Sequence, residues 1–457
     1  MALKTTPFSF SSAAPVWPWV VLRWDVRLAI ALATFAILFS WAKGEERHLL
    51  SNEGSGRATA YIESPKIITY EGKTHIGWLD TPTDGFRARV RTFDHATETW
   101  TEPFDLGDAA SNHGGPAMTV DSEGYLHVFY YSHHNPFRYR RTVRPNDTSE
   151  WTEYEEVGQD LTYPALVCAS DGTLIMTARR SYDDKPWELE MWTKAPGGEW
   201  TYQHSILKSR FNGYAQFAAS LAWSPDRETL HLSARIYEAP GSDAMISITT
   251  SGYLASDDGG MTWRKADGEA VQVPATAETW DSYAYGRTVH SRVLGSGSMD
   301  VNATGTPHLV YSAEVGKSAQ SYLVRPTAEG GWDHLLLNTF LPPAQRDWDL
   351  FMHGGIAFGS NGQPMIVGTV MELRPDTHAW GEITTEIVVF QSDDGGKTFH
   401  SRVLDAPNPN SPRWMPNIER RTGFNEMPEI PSFIYTDGVR GDGLQDILSN
   451  HVYWITP

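Results

Sequence analysis

The chain has a single cysteine, Cys168, in 457 residues, so no disulfide can form within it. Its neighbours Ala165, Leu166 and Val167 are apolar, which fits a buried inert thiol rather than a nucleophile. Positive charge is scarce: 37 Lys and Arg face 56 Asp and Glu, a net charge of −19. That balance argues against nonspecific binding to nucleic acid or to an anionic membrane, yet it leaves room for a local basic groove. After residue 60 there is no long helical pattern, and the ordinary globular composition excludes a disordered, collagen-like or coiled-coil chain. Long apolar runs are also missing, with one exception. Leu28 to Trp41 is uncharged, follows Arg23 and Arg27, and ends near the small-x-small step Ser40-Trp41-Ala42. Fourteen residues are short for a membrane span, so residues 1–42 read as a signal peptide, or alternatively an N-terminal anchor. Residues 43–457 are then expected outside the cytoplasm, secreted or periplasmic, as a single domain.

What is present is a repeat. With 18 Trp and 39 Gly, the composition suits short aromatic strands joined by tight turns. A strand, a Gly or Asp turn and a second strand recur, as in Pro65–Trp78, Ala117–Tyr131 and Ala165–Arg179, with further copies from Ser220, Ser298 and Gly355. The second half of each unit is marked by Trp100, Trp151, Trp200, Trp263, Trp332 and Phe399, spaced 51, 49, 63, 69 and 67 residues apart. Such a module predicts an all-β fold, a seven-bladed β-propeller of four-stranded antiparallel blades. The seventh blade comes from 413–457 and is closed by a strand from before Pro65. Ser256-Asp257-Asp258-Gly259-Gly260-Met261-Thr262-Trp263 and Ser392-Asp393-Asp394-Gly395-Gly396-Lys397-Thr398-Phe399 resemble the Asp-box turn of sialidases and other propellers, a structural signal.

The loops that lead into the first strands carry His or Tyr at five matching places: His113, Tyr163, Tyr214, His290 and His353. Packing alone would favour small or apolar residues there, and convergence of titratable groups on one face is what a reaction site needs. His75, His127, His231 and His308 sit inside second strands and read as packing or hydrogen-bonded residues. In Tyr131–Arg141 the arginines suggest an anion-binding wall, with Arg138 and, from the next unit, Arg179 and Arg180 as candidates. His133 and His134 lack a third ligand at helical or hairpin spacing, so no metal site is expected. Tyr130, Tyr131 and Phe137 are aromatic candidates around the same cleft.

At these residues the sequence resembles the propeller proteins with BNR-type repeats that include the ulvan lyases. The likeness runs from about Tyr61 to Asp437 and rests on Glu63-Ser64-Pro65-Lys66, His113-Gly114-Gly115-Pro116, Ser132-His133-His134, Tyr163-Pro164 and Arg179, with Pro416–Arg420 and Tyr435–Gly438 late in the chain. It implies a polysaccharide lyase acting on a uronate polymer by β-elimination. By that resemblance His113 and Tyr163 are the proton-transfer pair and Arg179 clamps the carboxylate. His134 or His133 is a second cleft histidine, and Tyr214 binds substrate. His353 and the arginines Arg138 and Arg180 complete the expected binding set. A Tyr near cations is expected to titrate low. The expected partner is an acidic polysaccharide, with no cofactor needed for catalysis, a structural metal left open, and a monomeric protein. A sialidase-like hydrolase and a non-catalytic carbohydrate-binding propeller are the alternatives; the leading loops carry His and Tyr where a hydrolase needs acids.

Overall fold

Period-two alternation of apolar and polar residues gives strands with one covered face, as along Phe86–Asp94; largely apolar runs such as Leu126–Tyr130 and Pro364–Met371 give strands buried on both faces. The computed structural model describes residues 45–240, 248–286, 293–372 and 381–456. The expected leader, the Leu28–Trp41 run and His290 lie outside the described residues. Within the unit Glu46–Pro457 the described elements are antiparallel strands, apart from two 3₁₀ turns at Leu337–Phe340 and Pro343–Gln345. The fold is all-β. Among the described residues no helix is long and apolar enough to cross a membrane.

The strands pair into sheets of nine, eight, six, five and four strands. In the largest, Arg413–Ile418, Phe433–Asp437 and Asn450–Thr456 continue into Glu46–Gly54, and Gly54 opposite Asp80 joins them to Lys73–Asp80. The first and last strands of this unit therefore pair, with Glu46 opposite Thr456 and His48 opposite Trp454. In the eight-stranded sheet, the long strand Glu155–Cys168 changes partner part-way. Its first half pairs with Asn135–Arg144 and its second half with Leu174–Arg180, and Leu161 faces both Asn135 and Arg180. That exchange brings the residues around 133, 163 and 179 together.

The core lies between successive sheets. Ala165, Leu189 and Met191 pack with Phe217, Leu232 and Trp263 in one cluster, and Val367 and Ile387 pack with Ile418 and Tyr435 in another. The two Asp-box segments form matching turns. Ser256 Oγ accepts from Gly260 N–H at 2.7 Å, and Asp258 takes the Thr262 N–H and hydroxyl at 2.8 and 2.7 Å. Ser392 and Asp394 repeat this with Gly396 and Thr398. Trp263 and Phe399 are buried beside their turns. The second-strand histidines have the hydrogen-bonding roles expected of them: His75 meets Thr92 and Asn146, His127 meets Tyr139 and Asp121, His231 meets Tyr253, and His308 meets the Thr306 carbonyl.

Candidate functional site

A cavity of about 480 Å³ is lined by His113, His133, Tyr163, Tyr214 and His353, five of the residues singled out by sequence. Local backbone irregularities deliver them. Tyr163 lies where the ladder slips between Thr162–Arg179 and Ala165–Thr177, and its φ of +63° is a left-handed conformation unusual for a Tyr. The register also slips between Phe351 and Gly355, around His353, and between Trp414 and Asn417, around the lining residue Met415. A bulge re-aims a side chain that regular alternation would send elsewhere. His113 sits in a tight loop whose next residue must be Gly: a Cβ on Gly114 would lie 2.6 Å from the Tyr131 carbonyl. Gly114 N–H donates to the Ser111 carbonyl and Tyr131 N–H to the Gly114 carbonyl, tying this loop to the segment that carries His133.

The rings then stack. His113 and His133 lie parallel with centroids 4.0 Å apart. Tyr163 is 5.8 Å from His113, and Tyr61 lies 5.2 Å from His113 and 4.9 Å from Tyr163. Arg57 donates to His113 Nε2 at 2.8 Å and also to the Tyr61 hydroxyl. Because arginine only donates, the Nε2 lone pair is the acceptor and the proton of neutral His113 sits on Nδ1. His113 Nδ1 is buried without a protein partner.

Behind Tyr163 lies Arg179, 0% exposed. Its guanidinium is 4.8 Å from the Tyr163 ring centre and 4.8 Å from that of Trp187. One nitrogen donates to Thr162 Oγ1 at 2.9 Å and to His134 Nε2 at 3.1 Å, while Nε and Nη1 have no protein partner. His134 Nδ1 then donates to Ser181 Oγ, whose own proton goes to the Asp160 carbonyl. The His pair is thereby divided: His133 lines the cavity, with Nδ1 3.0 Å from Ser111 Oγ, and His134 holds Arg179.

Burial dominates the electrostatics. It pushes His113 far below the usual histidine range, helped by the positive charge of Arg57, and lowers His133 to about 4. Both are neutral imidazoles near pH 7. Tyr163 is raised well above an ordinary phenol, first by burial and then by Tyr61 and Tyr214; Arg179 opposes this without prevailing. The expected lowering of the tyrosine by nearby cations is therefore overturned, because the phenol is only 4% exposed.

Several expectations need correction. Arg138 is not brought to the cavity: it stacks on Tyr131 and Tyr154, 4.0 and 4.6 Å from the ring centres. Arg180 pairs opposite Leu161, one residue on from Arg179, so it faces the other way toward Glu190 at 3.6 Å and Tyr182. Tyr130 and Phe137 are core residues, and Tyr131 packs against the core beneath Arg138, so these rings do not face the cavity. Sequence reasoning missed Arg57 and Tyr61. They stand four residues apart in the segment before the first repeat, and an isolated Arg after Gly-Ser-Gly was the one signal. It also missed Trp187, which lies against Arg179, His134 and Tyr214, and Arg235 on the cavity wall. Among the described residues no three His, Cys, Asp or Glu side chains group as a metal site.

A family model described as BNR repeat-containing family member matches residues 59–339. The chain belongs to the BNR repeat-containing family. It is 22% identical over 328 residues to an ulvan lyase of Alteromonas sp. (strain LOR), covering 61% of this chain and 64% of that protein. It is 21% identical over 422 residues to an ulvan lyase of Nonlabens ulvanivorans, covering 82% and 87%. The match thus spans less than two thirds of the length of the Alteromonas relative, 64%. A solved PL25 ulvan lyase, also solved bound to a GlcA(1-4)Rha3S saccharide, superposes with a TM-score of 0.68 at 17% identity, covering 90% of this chain and 96% of that one. At that identity the likeness is one of fold.

Proposed function

We propose that this chain is a polysaccharide lyase that cleaves a uronate-containing, ulvan-like polymer by β-elimination. The observation that carries this reading is the convergence of His113, Tyr163 and a guanidinium on one cavity wall, with Tyr163 5.8 Å from His113 and Arg57 2.8 Å from His113 Nε2. The names of the relatives point the same way.

In the reaction, a base takes the proton alpha to the uronate carboxylate, its electron pair forms the ring double bond, and the 4-linked oxygen leaves with a proton from an acid. His113, held neutral by burial, is the base. Arg57 caps its lone pair in the free protein. An arriving carboxylate competes for that guanidinium, so substrate binding both neutralises the carboxylate and uncovers the base. Tyr163 keeps its proton until the leaving oxygen needs it, because burial raises the phenol. The phenolate that results is stabilised by Arg179 beneath its ring. Arg179, expected as the clamp, thus acts through Tyr163, and His134 orients Arg179. Protonated His113 and the phenolate then exchange a proton with solvent, which restores both. No cofactor enters these steps.

We further propose that the five sheets are seven four-stranded blades, the two largest sheets each holding two, joined at Gly54–Asp80 and along Glu155–Cys168. The pairing of Glu46–Gly54 with Asn450–Thr456 supports a ring closed by the first and last strands of the unit. With the leader expected over 1–42, the protein acts outside the cytoplasm, as a monomer on an acidic polysaccharide. One assay tests the activity. Incubation with ulvan should raise the ultraviolet absorbance of an unsaturated uronate together with reducing ends. Reducing ends without that absorbance would mean hydrolysis, and retention on the polymer with neither would mean a binding protein.

A further inference from the structure

Glu63 lines the same cavity, is 1% exposed, and neither of its carboxylate oxygens has a hydrogen-bond partner in the protein. Burial pushes this carboxyl up to about 7, and a carboxyl in such a place, ionised or not, is normally hydrogen-bonded. Arg420, Arg235 and Lys66 stand near it, but none donates to either oxygen. Arg420 donates to the carbonyls of Ile62 and Glu63 at 2.8 and 3.1 Å, and Lys66 donates to the Pro116 carbonyl at 2.9 Å. Those bonds hold the backbone of the loop and leave the carboxylate as an unmatched acceptor. The loop is also fixed to the Tyr163 bulge, since Ser64 Oγ donates to the Pro164 carbonyl at 3.0 Å. Glu63 is thus a rigidly placed acceptor with a fixed relation to Tyr163.

The missing partner must be a donor. A second anion would be repelled, whereas neutral hydroxyls would satisfy both oxygens. Arg57, on the wall of the same cavity, favours an anionic group. A ligand with a carboxylate at one end and adjacent hydroxyls at the other meets both demands. In a 4-linked hexuronate ring the free hydroxyls at C2 and C3 lie across the ring from the C5 carboxylate. Resting on the reading of this cavity as a saccharide site, we infer that Glu63 binds the substrate by accepting hydrogen bonds from the C2 and C3 hydroxyls of the uronate whose carboxylate meets Arg57. The pair Arg57 and Glu63 then fixes which way round the ring enters, and so which ring carbon faces His113.

The test measures ulvan cleavage and, separately, calorimetric affinity for ulvan oligosaccharides in a Tyr163→Phe background, where binding is read without turnover. Glu63→Ala should weaken affinity and raise KM by roughly tenfold or more, because the hydrogen bonds to both carboxylate oxygens are lost. kcat should change far less. Glu63→Gln keeps an accepting oxygen and should recover much of the affinity. Affinity unchanged in both variants, with melting curves like that of the parent, overturns the inference even if the wild type makes unsaturated product. Lost affinity with no product from the wild type keeps Glu63 and removes the lyase reading. Should neither variant fold, 2-deoxy and 3-deoxy uronate oligosaccharides on the native chain decide: weaker binding of these than of the parent sugar supports the role, and equal binding ends it.

Discussion

In the Asp-box turn at Ser256–Trp263, the Ser256, Asp258 and Thr262 side chains find hydrogen-bond partners within a few residues of themselves. In the cavity wall the opposite holds. Glu63, His113 Nδ1 and two nitrogens of Arg179 are buried without partners, and Tyr163 is held at a positive φ. A buried polar group left unsatisfied costs about 1–3 kcal/mol, so these wall side chains carry a penalty that Ser256, Asp258 and Thr262 do not. In this turn the polar residues that serve the fold satisfy each other locally. Those that serve a ligand are held in readiness by the fold around them, and a ligand relieves the penalty. Changes in the turn should therefore register as stability, and changes in the wall as turnover.

The sharpest contrast is expected at His113. His113→Ala should lower kcat on ulvan by about 10²–10⁴-fold with an unshifted melting curve, as read by the ultraviolet assay beside a thermal melt. Arg57→Ala should follow, with kcat/KM down by roughly 10²-fold, since it removes the group proposed to meet the carboxylate. A smaller signature lies in the pH profile. His113 is displaced far below the ordinary range and His133 titrates at about 4, while Tyr163 is raised. kcat should therefore stay level between about pH 5 and pH 8. An acid limb with its midpoint near the free-histidine value would break the claim that the wall keeps its imidazoles neutral. At the turn, Asp258→Ala should remove about 1–2 kcal/mol of stability in denaturant melts and leave kcat alone. The smallest effect is expected for Arg138→Ala and Arg180→Ala, with kcat/KM within about twofold of the parent, because neither reaches the cavity. A large loss in either would mean that the substrate-binding surface extends beyond the cavity.

The repeat made the strand pattern and the turns legible, because two-residue alternation and Ser-Asp-Asp-Gly-Gly sequences are local signals. His113, Tyr163, Tyr214 and His353 were legible by position, each standing at the start of a repeat. What was not legible depended on register. Arg179 and Arg180 are adjacent and chemically identical, and only the pairing of Thr162 with Arg179 shows which one lies against Tyr163. His133 and His134 differ in the same way, through a positive φ at His134 that no residue type announces. Arg57 and Tyr61 belong to no repeat, and their place at the cavity comes from contacts with residues distant in sequence: Asn417 donates to the Tyr61 carbonyl at 3.0 Å. The direction of the Tyr163 shift also follows from burial, which sequence does not give.

The central claim is that the Tyr163 phenol gives a proton to the leaving oxygen while the neighbouring groups bind and orient the sugar. Tyr163→Phe removes one oxygen and keeps the ring that packs on Arg179 and Tyr61. Single-turnover cleavage of ulvan by this variant, measured with its affinity for the polymer, tests the claim most directly. Unsaturated product should vanish while binding and melting temperature match the parent. A Tyr163→Phe protein that forms unsaturated product at the parent's rate would contradict the account.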